Sequence, residues 1–407
     1  MADLSMKYAG MDFKNPLIMA SGPTTDSVEM IKAASDAGFG GIVLKSMGYR
    51  KWAETSKMKG VPRYKIVSRL DYTKPWDPKT GKDSRGLIVQ GESISVWGPD
   101  QYGAFIDECK DAAADDVKIG ASALCSKDDV TSFDEGVQIA NESKADFIEV
   151  DIGYPRFYDD PDYAPQLMKR LRKRTELPLT VKMPPFLTNP TKIVEAFQEV
   201  GVDGVTMYDI YLTLDIDIDK QAPLFRGTIP TVMMPEGFTL PYTLGSAADV
   251  RLAKLDISLS TSFGVWYWQD VVKCILAGAD TVQICRKVMV SGFKIATKWL
   301  KSINEWLDNN EYETFAELKS KVLENYIKMP RIPKEKAVEL GGVPSLVAFV
   351  DKDTCNGCGF CEEVCFYFAM KVQDKLAQAQ KVKCTGCGLC LGTCPFNSIS
   401  LVKREAQ

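Results

Sequence analysis

Eight of the chain's twelve cysteines fall into two copies of one spacing near the end of the sequence. The first copy reads Cys355-Asn-Gly-Cys358-Gly-Phe-Cys361-Glu-Glu-Val-Cys365. The second reads Cys384-Thr-Gly-Cys387-Gly-Leu-Cys390-Leu-Gly-Thr-Cys394-Pro395. In a C-x2-C-x2-C-x3-C run three thiolates wrap one iron–sulfur cube, and the fourth reaches across to the neighbouring cube. The spacing therefore predicts two [4Fe–4S] clusters in a small ferredoxin-type domain. Cys355, Cys358, Cys361 and Cys394 hold one, and Cys384, Cys387, Cys390 and Cys365 hold the other. Gly357, Gly359, Gly386 and Gly388 let backbone N–H groups approach the sulfurs, which favours the more negative, reduced cluster. Two structural zinc knuckles are the alternative, but zinc uses paired C-x2-C rather than runs of four. One departure is Phe366 after Cys365, where the bacterial ferredoxin pattern carries proline. Pro395 keeps it in the second half.

The tail leaves more than three hundred residues of a 407-residue chain, enough for a large domain beside a small one. A formal charge of −4 argues against a nucleic-acid partner or an anionic membrane. No apolar run is long enough to span a bilayer, which takes about 20 residues. The opening residues lack a basic segment followed by an apolar core, so no secretory signal is expected and the expected location is cytoplasmic. There is no histidine. That excludes histidine-ligated zinc, Rieske centres and a histidine base, and leaves proton transfer to Asp, Glu, Tyr, Lys or Cys.

Upstream of the tail, short apolar runs alternate with helix-period segments. Strands are expected at Leu17–Ser21, Gly41–Lys45, Val117–Leu124, Asp146–Asp151, Leu179–Met183, Gly204–Met207, Ile257–Ser260 and Thr281–Cys285. Helices are expected at Val28–Ala37, Val130–Lys144, Thr191–Val200 and Trp268–Ala277. The joins Val200-Gly-Val-Asp-Gly-Val205 and Ala277-Gly-Ala-Asp-Thr-Val282 each end a helix on glycine and open a strand. About eight such units predict a (β/α)8 TIM barrel, with a doubly wound sheet as the rival. Chemistry in a barrel collects where strands end. Those positions include Ser21, Lys45, Ser46, Cys125, Asp151, Lys182, Tyr208, Asp209, Cys285 and Arg286.

Lys45 in LKSMG, Lys182 in VKMPP, the turn Ala20-Ser21-Gly22-Pro23 and the tail together resemble the dihydroorotate/dihydropyrimidine dehydrogenase family. The layout is most similar to the iron–sulfur subunits of its NAD-dependent dihydropyrimidine branch, over essentially the whole chain. The resemblance implies FMN at the C-terminal mouth of the barrel, touched by Ala20, Ser21, Lys45, Ser46 and Lys182. A lysine beside flavin stabilises its anionic reduced ring.

The departures carry as much information. The family's catalytic Cys and its Asn after the fourth strand are Tyr154 and Asp151 here, and its Asn-Thr after the sixth is Tyr208-Asp209. Of the phosphate-holding glycines Gly264 remains, with Arg286 and Lys287 able to replace the rest by charge. Phe263 is expected to crowd a phosphate. Pyrimidine reduction is therefore not expected, and Tyr154 and Asp151 become the candidate proton-handling residues.

Residues 50–100 form a long insertion, read as a lid, a partner surface or a plain excursion. Asp215, Asp217 and Asp219 alternate as a solvated strand face, without the glycine and closing glutamate of a calcium loop. Trp266-Tyr267-Trp268 line a pocket or start a helix core. Residues Thr297–Asn325 read as helix, followed by a linker at Pro330–Pro344.

The expected organisation is a barrel over 1–308, a helical segment and linker over 309–347, and the ferredoxin domain over 348–407. The function expected is an iron–sulfur flavoprotein oxidoreductase that passes electrons between the clusters and FMN to reduce or oxidise an unsaturated small molecule. The alternative is a degenerate barrel serving as a non-catalytic scaffold subunit of a larger redox complex. No Gly-x-Gly-x-x-Gly is present, so the clusters need a partner. That is either a flavin/NAD(P)H subunit or a ferredoxin, in an oligomer or hetero-complex.

Overall fold

The computed structural model describes residues 2–48, 64–68, 85–89, 95–123, 131–152, 162–209, 212–213, 216–223, 232–233, 236–326 and 346–404. The chain divides into two compact units, Met1–Asn325 and Tyr326–Gln407.

In the first unit a hairpin, β1 (Met6–Tyr8) and β2 (Met11–Phe13), precedes the barrel. The barrel strands are β3 (Leu17–Met19), β4 (Gly41–Val43), β7 (Lys118–Ala123), β8 (Phe147–Asp151), β9 (Leu179–Met183), β10 (Gly204–Met207), β15 (Ser258–Thr261) and β16 (Thr281–Ile284). All neighbours pair in parallel, and β16 returns to β3, closing an eight-stranded barrel. The expected barrel is thus present. Each strand lies where the apolar runs put it, several one or two residues shorter than expected.

Helices between the strands bury one stripe each. They are α1 (Val28–Asp36), α2 (Pro99–Ala112), α3 (Thr131–Asn141), α4 (Tyr163–Arg172), α5 (Pro190–Glu199), α6 (Glu236–Leu252), α7 (Trp268–Leu276), α8 (Arg286–Ser291) and α9 (Ile295–Asn309). The expected helix through Asn325 is a correction. α9 stops at Asn309, Glu311 turns into positive φ, and Thr314 with Glu317 caps a separate short 3-10 turn. Phe315 is buried there, and its N–H donates to Asp3 O at 2.8 Å.

One joint is built three times on the side where strands begin. Asp146, Asp203 and Asp280 each precede a strand and accept the N–H of the preceding strand's first residues: Ile119 at 2.6 Å, Leu179 at 2.7 Å and Leu259 at 2.8 Å. Each carboxylate also meets a cation from the helix before that earlier strand: Lys110 at 2.6 Å, Arg172 at 2.7 Å and Arg251 at 3.0 Å. A hydrogen-bonded and charge-paired carboxylate locks strand to strand and helix to sheet at once. Gly201 and Gly278, at φ of 85° and 110°, end the helices that lead into two of these joints.

The floor of the barrel is apolar. Tyr8 and Phe13 from the hairpin pack with Ile18, Val43 and Phe147, ring to ring at 6.0 and 6.4 Å. Within the insertion, β5 (Tyr64–Ser68) and β6 (Arg85–Val89) form an antiparallel pair. Short pieces β11 (Leu212–Thr213), β12 (Ile216–Asp217), β13 (Ala222–Pro223) and β14 (Val232–Met233) lie between β10 and α6, and β6 lies against both β14 and α8. Because α8 directly follows β16, the insertion hairpin sits by the C-terminal mouth. Asp217 falls in β12 and Asp219 in an exposed turn, whereas Asp215 lies outside the described residues. So does the linker Pro330–Pro344. Among the described residues no helix is long and apolar enough to cross a membrane.

The second unit has near two-fold internal repetition. Strand β17 (Leu346–Val350) pairs with β20 (Ile399–Lys403), and β18 (Met370–Gln373) with β19 (Leu376–Ala379). Between them stand α10 (Phe360–Glu363) and α11 (Leu389–Thr393).

Candidate functional site

The two cysteine runs fold into equivalent halves. Gly357 and Gly386 hold φ of 72° and 66°, and a Cβ on either would meet a carbonyl oxygen, Lys375 O at 2.4 Å or Leu346 O at 2.5 Å. Only glycine brings the two chains this close. Phe368 and Asn397, each three residues after the fourth cysteine of its run, share φ of 54° and 51°. The turn after Cys365 therefore keeps its form although Phe366 stands in place of proline.

Two cavities open in this unit. One, of about 370 Å³ including its open mouth, is lined by Cys384, Cys387, Cys390 and, from the other run, Cys365. The other, of about 310 Å³, is lined by Cys355, Cys358, Cys361 and Cys394. Backbone N–H groups donate to four of the sulfurs in matching fashion. Ala369 reaches Cys365 and Ser398 reaches Cys394, both at 3.3 Å, while Ala377 reaches Cys355 at 3.5 Å and Ala348 reaches Cys384 at 3.3 Å. Such N–H···S bonds favour the more negative state of a bound cluster. Among the described residues no group of three or more His, Cys, Asp or Glu side chains forms a site for one metal ion; the thiols ring the two cavities instead.

In the barrel, the polar residues gather above the apolar floor. Lys45 and Lys182 are both buried, at 2% exposure. Ser21 Oγ lies 3.3 Å from Ser46 Oγ, which lies 2.8 Å from Ser122 Oγ, so the ends of β3, β4 and β7 are tied by hydroxyls. Ala20 N–H donates to Ile284 O at 3.0 Å, carrying the β3–β16 pairing one residue further. Strand register sets Asp151, Lys182, Thr206 and Ser260 side by side across β8, β9, β10 and β15.

Lys182 Nζ forms an ion pair with Glu149 Oε1 at 2.8 Å. The other carboxylate oxygen accepts from Thr206 Oγ1 at 2.8 Å and from Gln283 Nε2 at 2.5 Å. Because β8 and β16 are not neighbours, the Glu149–Gln283 contact crosses the barrel interior. Burial alone would drive the Lys182 ammonium to shed its proton. The carboxylates of Glu149, Asp209 and Asp151 outweigh burial and hold it above the ordinary lysine range. Beside it, burial raises the Cys285 thiol, opposed by the Thr24 hydroxyl and by the charges of Lys45, Lys182 and Arg286.

At the ends of β15 and β16 the turns are closely packed. A Cβ on Gly264 would meet Leu240 N at 2.3 Å, and Thr243 Oγ1 donates to Phe263 O at 2.8 Å, so α6 packs directly on this turn. The amides of Trp266 and Tyr267 both donate to Asp270 Oδ2, at 3.0 and 2.9 Å. Lys287 is buried, with its ammonium 5.1 Å from the Trp266 ring and 5.8 Å from Tyr267. Phe263 packs edge-on against Phe186 at 6.0 Å, within an aromatic group that includes Tyr208 and Tyr242. Its ring is thus held in place by packing.

Asp151 ends β8, half-buried. Tyr154 and Cys125 lie outside the described residues. The sequence reading passed over Glu149, Thr206 and Gln283. A signal existed: Glu149 and Asp151 alternate in an otherwise apolar strand, and Gln283 interrupts another.

A 4Fe-4S binding domain family matches residues 348–371. The catalytic subunit of dihydroorotate dehydrogenase B (NAD(+)) from Pyrococcus abyssi is 24% identical over 324 residues, 77% of this chain and 97% of that protein. The corresponding subunit from Staphylococcus carnosus is 27% identical over 70% of this chain and 86% of its own. Subunit PreA of the NAD-dependent dihydropyrimidine dehydrogenase of Escherichia coli is 23% identical over 380 residues, 89% of this chain and 85% of its own. The chain is a homologue of these dehydrogenase subunits. The homology to the dihydroorotate dehydrogenase B subunits covers about three quarters of the chain. The match to PreA is longer than the barrel unit, so it reaches into the cysteine-rich unit as well.

Proposed function

We propose that the chain is an iron–sulfur flavoprotein oxidoreductase, or the iron–sulfur subunit of one, with two [4Fe–4S] clusters in its tail and FMN at the barrel mouth. The observation that carries this is the pair of cavities, each ringed by three thiols of one run and one of the other. They share a chain with a barrel that has two buried lysines at its strand ends.

The mouth fits a flavin. Ser260 Oγ and Gln283 Oε1 are buried with no hydrogen-bond partner among the described residues. They lie beside or within the polar ring around Lys182 and suit a polar ligand. Ala20, Ser21, Lys45, Ser46 and Lys182 would hold the ring. Arg286, with Lys287 behind it, would hold the phosphate by charge, since α6 takes up the face of Gly264. Bound FMN supplies an exchange of single electrons on one side and of hydride on the other. Lys45 and Lys182 provide positive charge, Asp151 accepts hydrogen bonds from a substrate, and Tyr154 gives a proton.

The substrate is an unsaturated small molecule other than a pyrimidine, because carboxylates and tyrosines stand where the family carries amides and a cysteine. The relatives are named as subunits, which supports a partner of the flavin/NAD(P)H type or a ferredoxin feeding the clusters.

The scaffold reading draws on two observations. Asp270 already takes the amides of Trp266 and Tyr267, and Glu149 already pairs Lys182. The test is FMN binding by the anaerobically purified protein. The flavin reading predicts stoichiometric FMN, bound at least about tenfold more weakly by Lys45→Met and Arg286→Gln, the loss of one charge-assisted contact. Wild-type protein that takes up no FMN supports the scaffold reading instead.

A further inference from the structure

We propose that Glu149 is the positioning residue for Lys182, fixing where its ammonium sits in the mouth and keeping it charged. The inference rests on the flavin reading and deepens it, because that ammonium is the charge an anionic reduced ring would meet.

The geometry carries the argument. A lysine stem is long and flexible, and a buried amine left to itself either snorkels to water or gives up its proton. Neither is open to Lys182 while its Nζ stands 2.8 Å from a fully buried carboxylate. That carboxylate is itself immobilised. Its second oxygen is held by Thr206 and Gln283, and Gln283 Nε2 also donates to Thr206 Oγ1 at 3.0 Å. Anchors on β10 and β16 thus fix a carboxylate on β8, which fixes an ammonium on β9. The two anchors are neutral and the Lys182 contact is with a cation, so the network converges on that charge.

Stability alone does not account for the arrangement. Two buried charges lose their hydration, and an apolar pair of similar volume fills such a space as well or better. Among the described residues, Glu149 and Asp151 from β8 and Asp209 after β10 act on Lys182 by charge, with the Cys285 thiol nearby. Glu149 is in direct contact with it, at 2.8 Å.

The test uses full-length, cluster-loaded protein. The midpoint potential of bound flavin is measured from about pH 6 to 10 in wild type, Glu149→Gln, Lys182→Met and the double variant, with melting temperature and iron content as controls. Lys182→Met should lower the potential at every pH. Glu149→Gln should lie at or above wild type at low pH and fall to the double variant's value as pH rises, through a lysine ionisation that wild type and the double variant lack. The double variant, with neither charge, should lie at or above Lys182→Met, which keeps the carboxylate without its cation.

A Glu149→Gln protein that follows wild type across the range while Lys182→Met shifts overturns the proposal, whatever its melting temperature. At high pH, where Glu149→Gln has already lost the ammonium, a further full Lys182→Met effect in the double variant overturns it too. If Glu149→Gln does not fold, Gln283→Leu loosens the carboxylate while leaving both charges, and a wild-type potential and pH profile there count against the proposal equally. Wild-type protein without flavin removes both this inference and the flavin reading. That failure is seen before any variant is made.

Discussion

Cys365 and Cys394 each close a cavity whose other three thiols come from the opposite run. Each sulfur also takes an N–H from the residue four places on. Cys394→Ala should delete the same cluster signal in electron paramagnetic resonance as Cys355→Ala, leaving the other cluster intact. Loss of the signal that Cys384→Ala removes would contradict the crossed pairing. Elsewhere burial pushes the Cys274 thiol up to about 12 and raises Cys109, Tyr8 and Tyr102 as well. In each case the folded chain holds the proton more tightly than the unfolded one. That stability is fully present below the unfolded values, about 8.5 for a thiol and 10 for a phenol, and is lost as pH climbs toward the folded values. Denaturant titrations should give level stability to about pH 8, then a decline of up to ~1.4 kcal/mol per pH unit for each group. Stability that rose above pH 9 would contradict the assignment. The proposed cluster ligands are legible because their spacing is local. Glu149 was not, because its meaning depends on Gln283 and Lys182, which only a closed barrel brings to it.

Among the elements, the strand-entry joints do the most to hold the barrel's order. Asp280 is buried, accepts Leu259 N–H, pairs with Arg251 and also meets Lys319 Nζ. Removing it leaves a buried amide without its acceptor and takes the carboxylate from Arg251 and Lys319. Asp280→Ala should cost about 3–5 kcal/mol by denaturant unfolding, whereas Asp36→Ala, which breaks an exposed pair with Lys32, should cost at most ~0.5 kcal/mol. Equal costs would mean the joints are incidental. The glycine-then-aspartate joins could be read from the sequence as helix ends and strand starts. What they bond to could not, since the amide lies two elements back and the cation three. The helix expected through Asn325 failed for a related reason: its apolar spacing continues past Asn309, but Phe315 is buried against the N-terminal segment at Asp3 rather than along α9.

For the molecule as a whole, alternating runs predicted the barrel and repeated cysteines predicted the tail, and both are present. The nature of the mouth was only half visible. Lys45 and Lys182 stood out as charges in apolar strands. The packing of α6 against Gly264, and of Phe263 against Phe186, needed the folded chain. An iron–sulfur tail joined to a barrel with two buried lysines at its strand ends makes sense as one device if single electrons are paired on a flavin within the same chain. The direct measurement is iron, acid-labile sulfide and acid-extractable flavin per chain in protein purified without oxygen. About eight irons, about eight sulfides and one FMN are expected. About four irons would contradict the two-cluster tail, and full iron with no flavin, even after FMN is added back, would contradict the flavoprotein.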